Sequence, residues 1–202
     1  MTHTVRDLAY LAVLGLVLGA IVHLASMLAV PALAARDADA RLAALAPRHV
    51  LTVLPPPGDP ASNGLDIPER DPAAVMAVCR FDVTSAPLRL RAAASDTFLS
   101  LAFHSPGKGV FYALTDRSAA RGQIDVIVVT QRQLEALQAG DPEDEPVREL
   151  RLLAPAPIGF VSIRALALEP GQMAEAEATV RGVQCGPEAM PARPGSASAR
   201  PG

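Results

Sequence analysis

Hydrophobic positions follow different rhythms in successive parts of this chain. Residues 8–30 form one unbroken apolar run without Asp, Glu, Lys or Arg, and 12 of its 23 positions are Leu, Val or Ile. As a helix it would span roughly 34 Å, enough for a hydrocarbon core of ~30 Å, so the pattern predicts a transmembrane anchor. Residues 36–46, rich in Ala and Leu with scattered charge, predict a juxtamembrane helix that Pro47 ends. Residues 54–72 contain Pro55, Pro56, Pro57, Pro60, Pro68 and Pro72, with Gly58 and Gly64 between them. That density predicts an extended spacer.

From residue 73 the rhythm shortens. Runs of strand length occupy residues 75–83, 88–91, 98–104, 110–114 and 124–130, and turn-forming residues separate most of them. Leu88-Arg89-Leu90-Arg91 alternates as a half-buried strand should, and residues 147–153 and 158–168 alternate again. Residues 131–139 predict a short helix closed by Gly140. A last helix is expected from near Pro170 to about Val180, with Gly182 at its stop. The fold class is therefore α+β: one N-terminal transmembrane helix plus a β-rich antiparallel sheet or sandwich with short flanking helices. The organisation expected is a tip and anchor at 1–35, a juxtamembrane helix and spacer at 36–72, a β-rich domain at 73–186 and a disordered tail at 187–202.

Composition places the apolar excess. Half the residues are apolar but only 3% are aromatic and none is Trp, so Ala, Leu and Val carry the hydrophobicity. A net charge of -3 gives no basis for a nucleic-acid partner. The short leader before the apolar run is that of a signal anchor, which predicts a single-pass protein of the bacterial inner membrane, in contact with lipid, with its domain in the periplasm. Ala32-Leu33-Ala34 also matches a signal-peptidase site, an alternative that delivers the domain to the same side. At 100° per residue, Ala12, Gly15, Gly19, His23 and Ser26 fall in one stripe about 80° wide. Gly15 and Gly19 form G-x-x-x-G, a spacing that lets two helices approach closely in lipid, with His23 beside them to hydrogen-bond across the contact. A helix partner or a homodimer is the expectation, against the plainer reading that small residues are common in membrane helices.

Candidate chemistry is sparse. His3, His23, His49 and His104 are scattered, no C-x-x-C or H-x-x-x-H spacing occurs, and no nucleotide or nucleophile motif is present. No metal, cofactor or catalytic residue is predicted. Ser105-Pro106-Gly107-Lys108-Gly109 is expected to be a hairpin turn. Cys79 and Cys185 either bridge in an oxidising compartment, pinning the C-terminal helix to the sheet, or remain separate thiols. Charged residues within strands are the sharper signal. Arg80 and Asp82 share a strand face, Asp116 and Arg117 follow a strand at a turn, and Arg164 interrupts an apolar strand. Such charges can pair to fix register; alternatively Arg80, His104, Tyr112, Arg117 and Arg164 line a site for a small polar or anionic ligand. A hydrolase would need a nucleophile–base pair, and none is evident.

The segments Cys79-Arg80-Phe81-Asp82-Val83, Phe111-Tyr112-Ala113-Leu114-Thr115-Asp116-Arg117, Ile124-Asp125-Val126-Ile127-Val128 and Gly159-Phe160-Val161-Ser162-Ile163-Arg164 resemble the DUF1254 family, in its short, membrane-anchored bacterial branch. The resemblance covers the anchor and most of the domain. It implies a β-rich periplasmic fold and the frequent company of DUF1214-type proteins as partners. It carries no catalytic residue, since the family is one of unknown function. The expected role is a non-enzymatic envelope module acting through a protein partner.

Overall fold

A computed structural model describes residues 2–62, 70–95, 97–141 and 147–190. The chain divides into two units, Met1–Ala38 and Asp39–Gly202. The first is carried by helix α1 (Thr2–Leu45). Within it, Thr4–Pro31 is long and apolar enough to cross a membrane, with none of its most apolar stretch buried. Leu16 is 74% exposed and Leu28 is 79% exposed, which in water would be a large unfavourable apolar surface. The helix ends at Leu45, two residues before Pro47.

The second unit is built on two sheets. One has five strands in the order β1 (Leu51–Val53), β2 (Ala74–Asp82), β8 (Ile158–Leu166), β4 (Leu99–Ser105) and β5 (Gly109–Thr115). The other has the order β7 (Leu150–Leu153), β6 (Gln123–Val129), β3 (Leu88–Ala93) and β9 (Gln184–Pro187). Alternation explains their packing. In β3, Leu88, Leu90 and Ala92 are buried while Arg89 and Arg91 are not; in β4, Leu99, Leu101 and Phe103 are buried. These side chains meet Ala77, Cys79 and Phe81 of β2 and Val161, Ile163 and Ala165 of β8 in one core shared by both sheets. Helix α3 (Met173–Arg181) adds Ala176 and Val180 to it. Helix α2 (Gln131–Gln138) starts at a capping box: the Thr130 hydroxyl accepts from the Gln133 N–H, and the Gln133 side chain accepts from the Thr130 N–H. The same Gln133 amide donates to the Val83 carbonyl at 2.9 Å, tying α2 to the chain leaving β2.

The α+β expectation holds, with three adjustments. β6 and β7 pair in parallel, because the residues between them include α2 and form the long crossover that a parallel pair needs. The folded unit begins before residue 73: Leu51↔Cys79 and Val53↔Ala77 pair β1 with β2, and Leu42, Ala46 and Leu54 are buried. The N-terminal part of the expected spacer is therefore domain, while residues 63–69 lie outside the described residues. The expected tail also begins too early. Pro187 closes β9, and Glu188 donates its N–H to the Pro87 carbonyl and its carboxylate pairs with Arg89; residues 191–202 lie outside the described residues.

Cys79 and Cys185 are joined in a disulfide. The bridge runs from β2 in one sheet to β9 in the other, so it clamps the two sheets together rather than pinning α3. Its loop of 106 residues is long, and closing it removes much chain entropy from the unfolded state. A second constraint is steric. A Cβ on Gly159 would stand 2.3 Å from the His104 carbonyl oxygen and 2.5 Å from the Phe81 ring. Only glycine lets β8 lie this close to β4 over that ring.

Both constraints can be measured as stability. The Cys79→Ser/Cys185→Ser protein should lose about 2–5 kcal/mol in urea unfolding, and reductant should produce a similar loss in the wild type and none in the variant. Gly159→Ala should cost about 1–3 kcal/mol, because the closest obstacle is backbone and cannot rotate away. A wild-type melting curve would refute this account of Gly159.

Candidate functional site

The register shows which of the charged strand residues share a surface. Arg80 on β2 lies opposite Phe160 on β8, and Phe160 lies opposite His104 on β4. Two residues along, Val78, Ser162 and Ala102 form the next row, and Met76, Arg164 and Ser100 the one after. All these side chains are on the outer face of the larger sheet, opposite the core. The His104 ring stacks on Phe160 with centroids 4.4 Å apart and an interplanar angle of 8°. Its Nε2 lies 3.1 Å from the Ser162 hydroxyl.

The five predicted ligand-binding residues do not converge. Arg80 donates to the Ala46 carbonyl at 3.0 Å and the Ala43 carbonyl at 3.4 Å. It neutralises the open carbonyl end of the last turns of α1, a favourable place for a cation. Leu42 and Leu54 bury Val78 beside it, with Leu45, Met76 and Phe160 packed around them. Asp82 also has a structural role: its carboxylate accepts from the Thr84 N–H, lies 3.4 Å from Arg48, and is held below the usual carboxylate range chiefly by Thr84. Arg164 is exposed on the same face as His104 but four residues along β8 from its row, about 13 Å away. Tyr112 pairs with Phe103, a core residue, and its ring meets Phe103 edge-on at 6.4 Å. Arg117 is exposed in the turn Asp116–Ser118 after β5. A single anion pocket lined by all five is therefore not formed.

A cluster of four charged residues lies on the other sheet. Arg89 makes a bidentate pair with Asp125, Nε at 2.9 Å and Nη2 at 2.7 Å, and its Nη1 reaches Glu188 at 2.9 Å. Arg91 approaches the same Asp125 at 3.4 Å. Burial acts to raise the Asp125 pKa, but the hydrogen bonds and charges of Arg89 and Arg91 outweigh it and hold the carboxyl below its ordinary value. The cluster ties β6 and the end of β9 to β3, so it is structural. Arg151 is likewise held by Asp141 and Glu149.

A wide groove among the described residues is one that the sequence pattern does not reveal. A groove of about 1070 Å³ runs between β1 and the α3–β9 segment, lined by His49, Leu51, Val53, Glu177, Arg181 and Gln184 among others. His49 enters it with a left-handed backbone, φ 61°, and with a buried Nδ1 that makes no hydrogen bond among the described residues. The available signal was Leu51-Thr52-Val53, a β-favouring triplet cut off by three prolines after Leu54, as an edge strand often is. Among the described residues there is no group of three metal-ligating side chains.

No protein-family model and no curated protein matches the chain. The fold is similar to the crystal structure of the VPA0106 protein from Vibrio parahaemolyticus, with a TM-score of 0.54 at 9% identity over 83% of this chain and 40% of that one. An uncharacterised protein from Burkholderia cenocepacia aligns with a TM-score of 0.36 at 17% identity, over 58% of this chain and 32% of that chain. The chain thus spans less than half the length of either solved structure.

The Asp125 cluster gives a pH prediction. Because the folded pKa is depressed, the stabilisation is complete above the unfolded value of about 3.9 and disappears as pH falls through the lower, folded value. Asp125→Asn should cost about 1.5–3 kcal/mol near neutrality, and the two stability curves should merge in acid. A difference that persists unchanged once the carboxyl is protonated in both the folded and the unfolded chain would show that the loss comes from packing instead.

Proposed function

We propose that the chain is a single-pass, membrane-anchored module of the bacterial cell envelope that places its β-rich domain in the periplasm and acts, without catalysis, through a protein partner. The apolar helix Thr4–Pro31 supports the anchor. The disulfide between Cys79 and Cys185 supports an oxidising compartment, since such bonds are rare in a reducing cytosol. The resemblance to the DUF1254 family, whose members keep company with DUF1214-type proteins, suggests a protein of that type as the partner.

The observation that carries the partner reading is the outer face of the larger sheet. The end of α1 covers it around Val78. Across β8, β4 and β5 it remains open among the described residues of the domain, with Ala113 and Arg164 exposed, the His104–Phe160 stack half-buried, and Val110 and Ile158 53% and 42% exposed. A shallow surface of small residues and rings, edged by apolar side chains, suits another protein better than a small ligand. The polar-ligand alternative loses ground because Arg80 already serves α1 and Arg117 and Tyr112 lie elsewhere.

The test is affinity purification of the full chain from membranes in mild detergent. A DUF1214-type protein should co-purify near one-to-one. Ala113→Arg, on the open face, should reduce recovery at least tenfold while leaving the melting temperature unchanged. Recovery of the chain with no stoichiometric companion would reject the partner reading.

A further inference from the structure

The edge of β1 carries an inference beyond that reading. Leu54 donates its N–H to the Met76 carbonyl at 2.8 Å, and the β1–β2 register continues through Thr52↔Val78. In an antiparallel ladder, residues of one parity point their main-chain groups at the neighbour and those of the other parity point away. Thr52 and Leu54 therefore face β2, and the N–H and C=O groups of Leu51 and Val53 face outward, where β1 is the end of its sheet. They have no partner among the described residues, and they open onto the groove of about 1070 Å³. Open edges of this kind template further strands unless something covers them.

We infer that this edge pairs with the same edge of a second copy of the chain. The hydrogen-bonding pattern is self-complementary. With a two-fold axis at Thr52, Leu51 stands opposite the second copy's Val53 and Val53 opposite its Leu51, and each such pair exchanges both N–H···O bonds. The three prolines after Leu54 end the edge, so it offers only these two residues, too few for tight binding of a free peptide from solution. Copies of this chain are differently placed. Each carries a helix able to hold it in a membrane, and confinement there raises the effective concentration at which a short edge can pair. The same helix carries Gly15 and Gly19 in a G-x-x-x-G spacing, at which two helices can approach closely in lipid. The domain edge thus contributes a homotypic contact that the open face of the larger sheet, used for a different partner, leaves free.

Cysteine crosslinking in membranes of the full chain tests this, because the two Thr52 positions would form a non-hydrogen-bonded pair with Cα atoms about 4.5 Å apart, within disulfide range. Thr52→Cys should give a covalent dimer on non-reducing gels, at least tenfold above Arg164→Cys on the open sheet face. Adding Val53→Pro should remove that dimer. The Val53 N–H faces away from β2, so the proline deletes no bond within the domain, and an unchanged melting temperature checks that the fold persists. Dimer no more abundant than in the Arg164→Cys control would overturn the inference, as would dimer undiminished by the proline in a protein that melts normally. Capture of a different polypeptide by the thiol introduced at position 52, in place of the dimer, would also overturn it and assign the edge to that polypeptide. Because the readout is the covalent homodimer, it is independent of whether a DUF1214-type partner co-purifies.

Discussion

The domain depends most on the joining of its two sheets at Cys79–Cys185. Cys79 sits in the middle of the row that β1, β2, β8 and β4 share, since Leu51 pairs with it on one side and Val161 on the other. Cys185 belongs to β9, a four-residue strand held to β3 along one side. A strand so short has little pairing energy of its own. The bridge fastens it to the larger sheet, and the Arg89–Glu188 pair fastens its far end to β3. With β9 in place, α3 is fixed just before it and can bury Ala176 and Val180 in the common core. The covalent tie and the ion pair thus act in sequence on one segment, the first between sheets and the second within a sheet.

That arrangement is legible in the sequence only in part. Strands with strict alternation, such as Leu88 to Arg91, announce themselves because one face is buried and the other wet, and the structure places Leu88 and Leu90 in the core accordingly. The helix beginning after Thr130 is equally clear, since its cap and stop signals are local. Strands β1 and β9 are not. Each is too short to show a period, and each exists because a longer neighbour supplies the ladder: β2 for β1, β3 for β9. The parallel pairing of β6 and β7 is invisible for a related reason. Strand direction is fixed by the route of the connection, which the hydrophobic pattern does not record.

The candidate site shows the same division. Arg80, His104 and Arg164 do belong to one sheet face, because residues two apart on a strand share a side and the register brings Phe160 between Arg80 and His104. Tyr112 does not join them. The pairing of β4 with β5 shifts between Phe103 and His104, and Tyr112 lies opposite Phe103 on the core side of that shift. A one-residue irregularity in a hairpin changes which face a side chain joins, and nothing in the local sequence marks where the shift falls.

The division of labour on the outer face then has a physical cause. A helix C-terminus laid against a sheet presents carbonyls that need donors, and Arg80 meets that need for the last turns of α1. Once Arg80 is committed there, the face splits. The β1–β2 side becomes a small second core under Leu42, Leu54 and Val78, while the β8–β4–β5 side keeps exposed side chains. On the open side His104 is half-buried, stacked on the Phe160 ring and within hydrogen-bond reach of the Ser162 hydroxyl. The charged residues most conspicuous in the sequence are therefore mostly spent on holding the domain together, and the face they leave is the quieter one of alanines, serines and a stacked pair of rings.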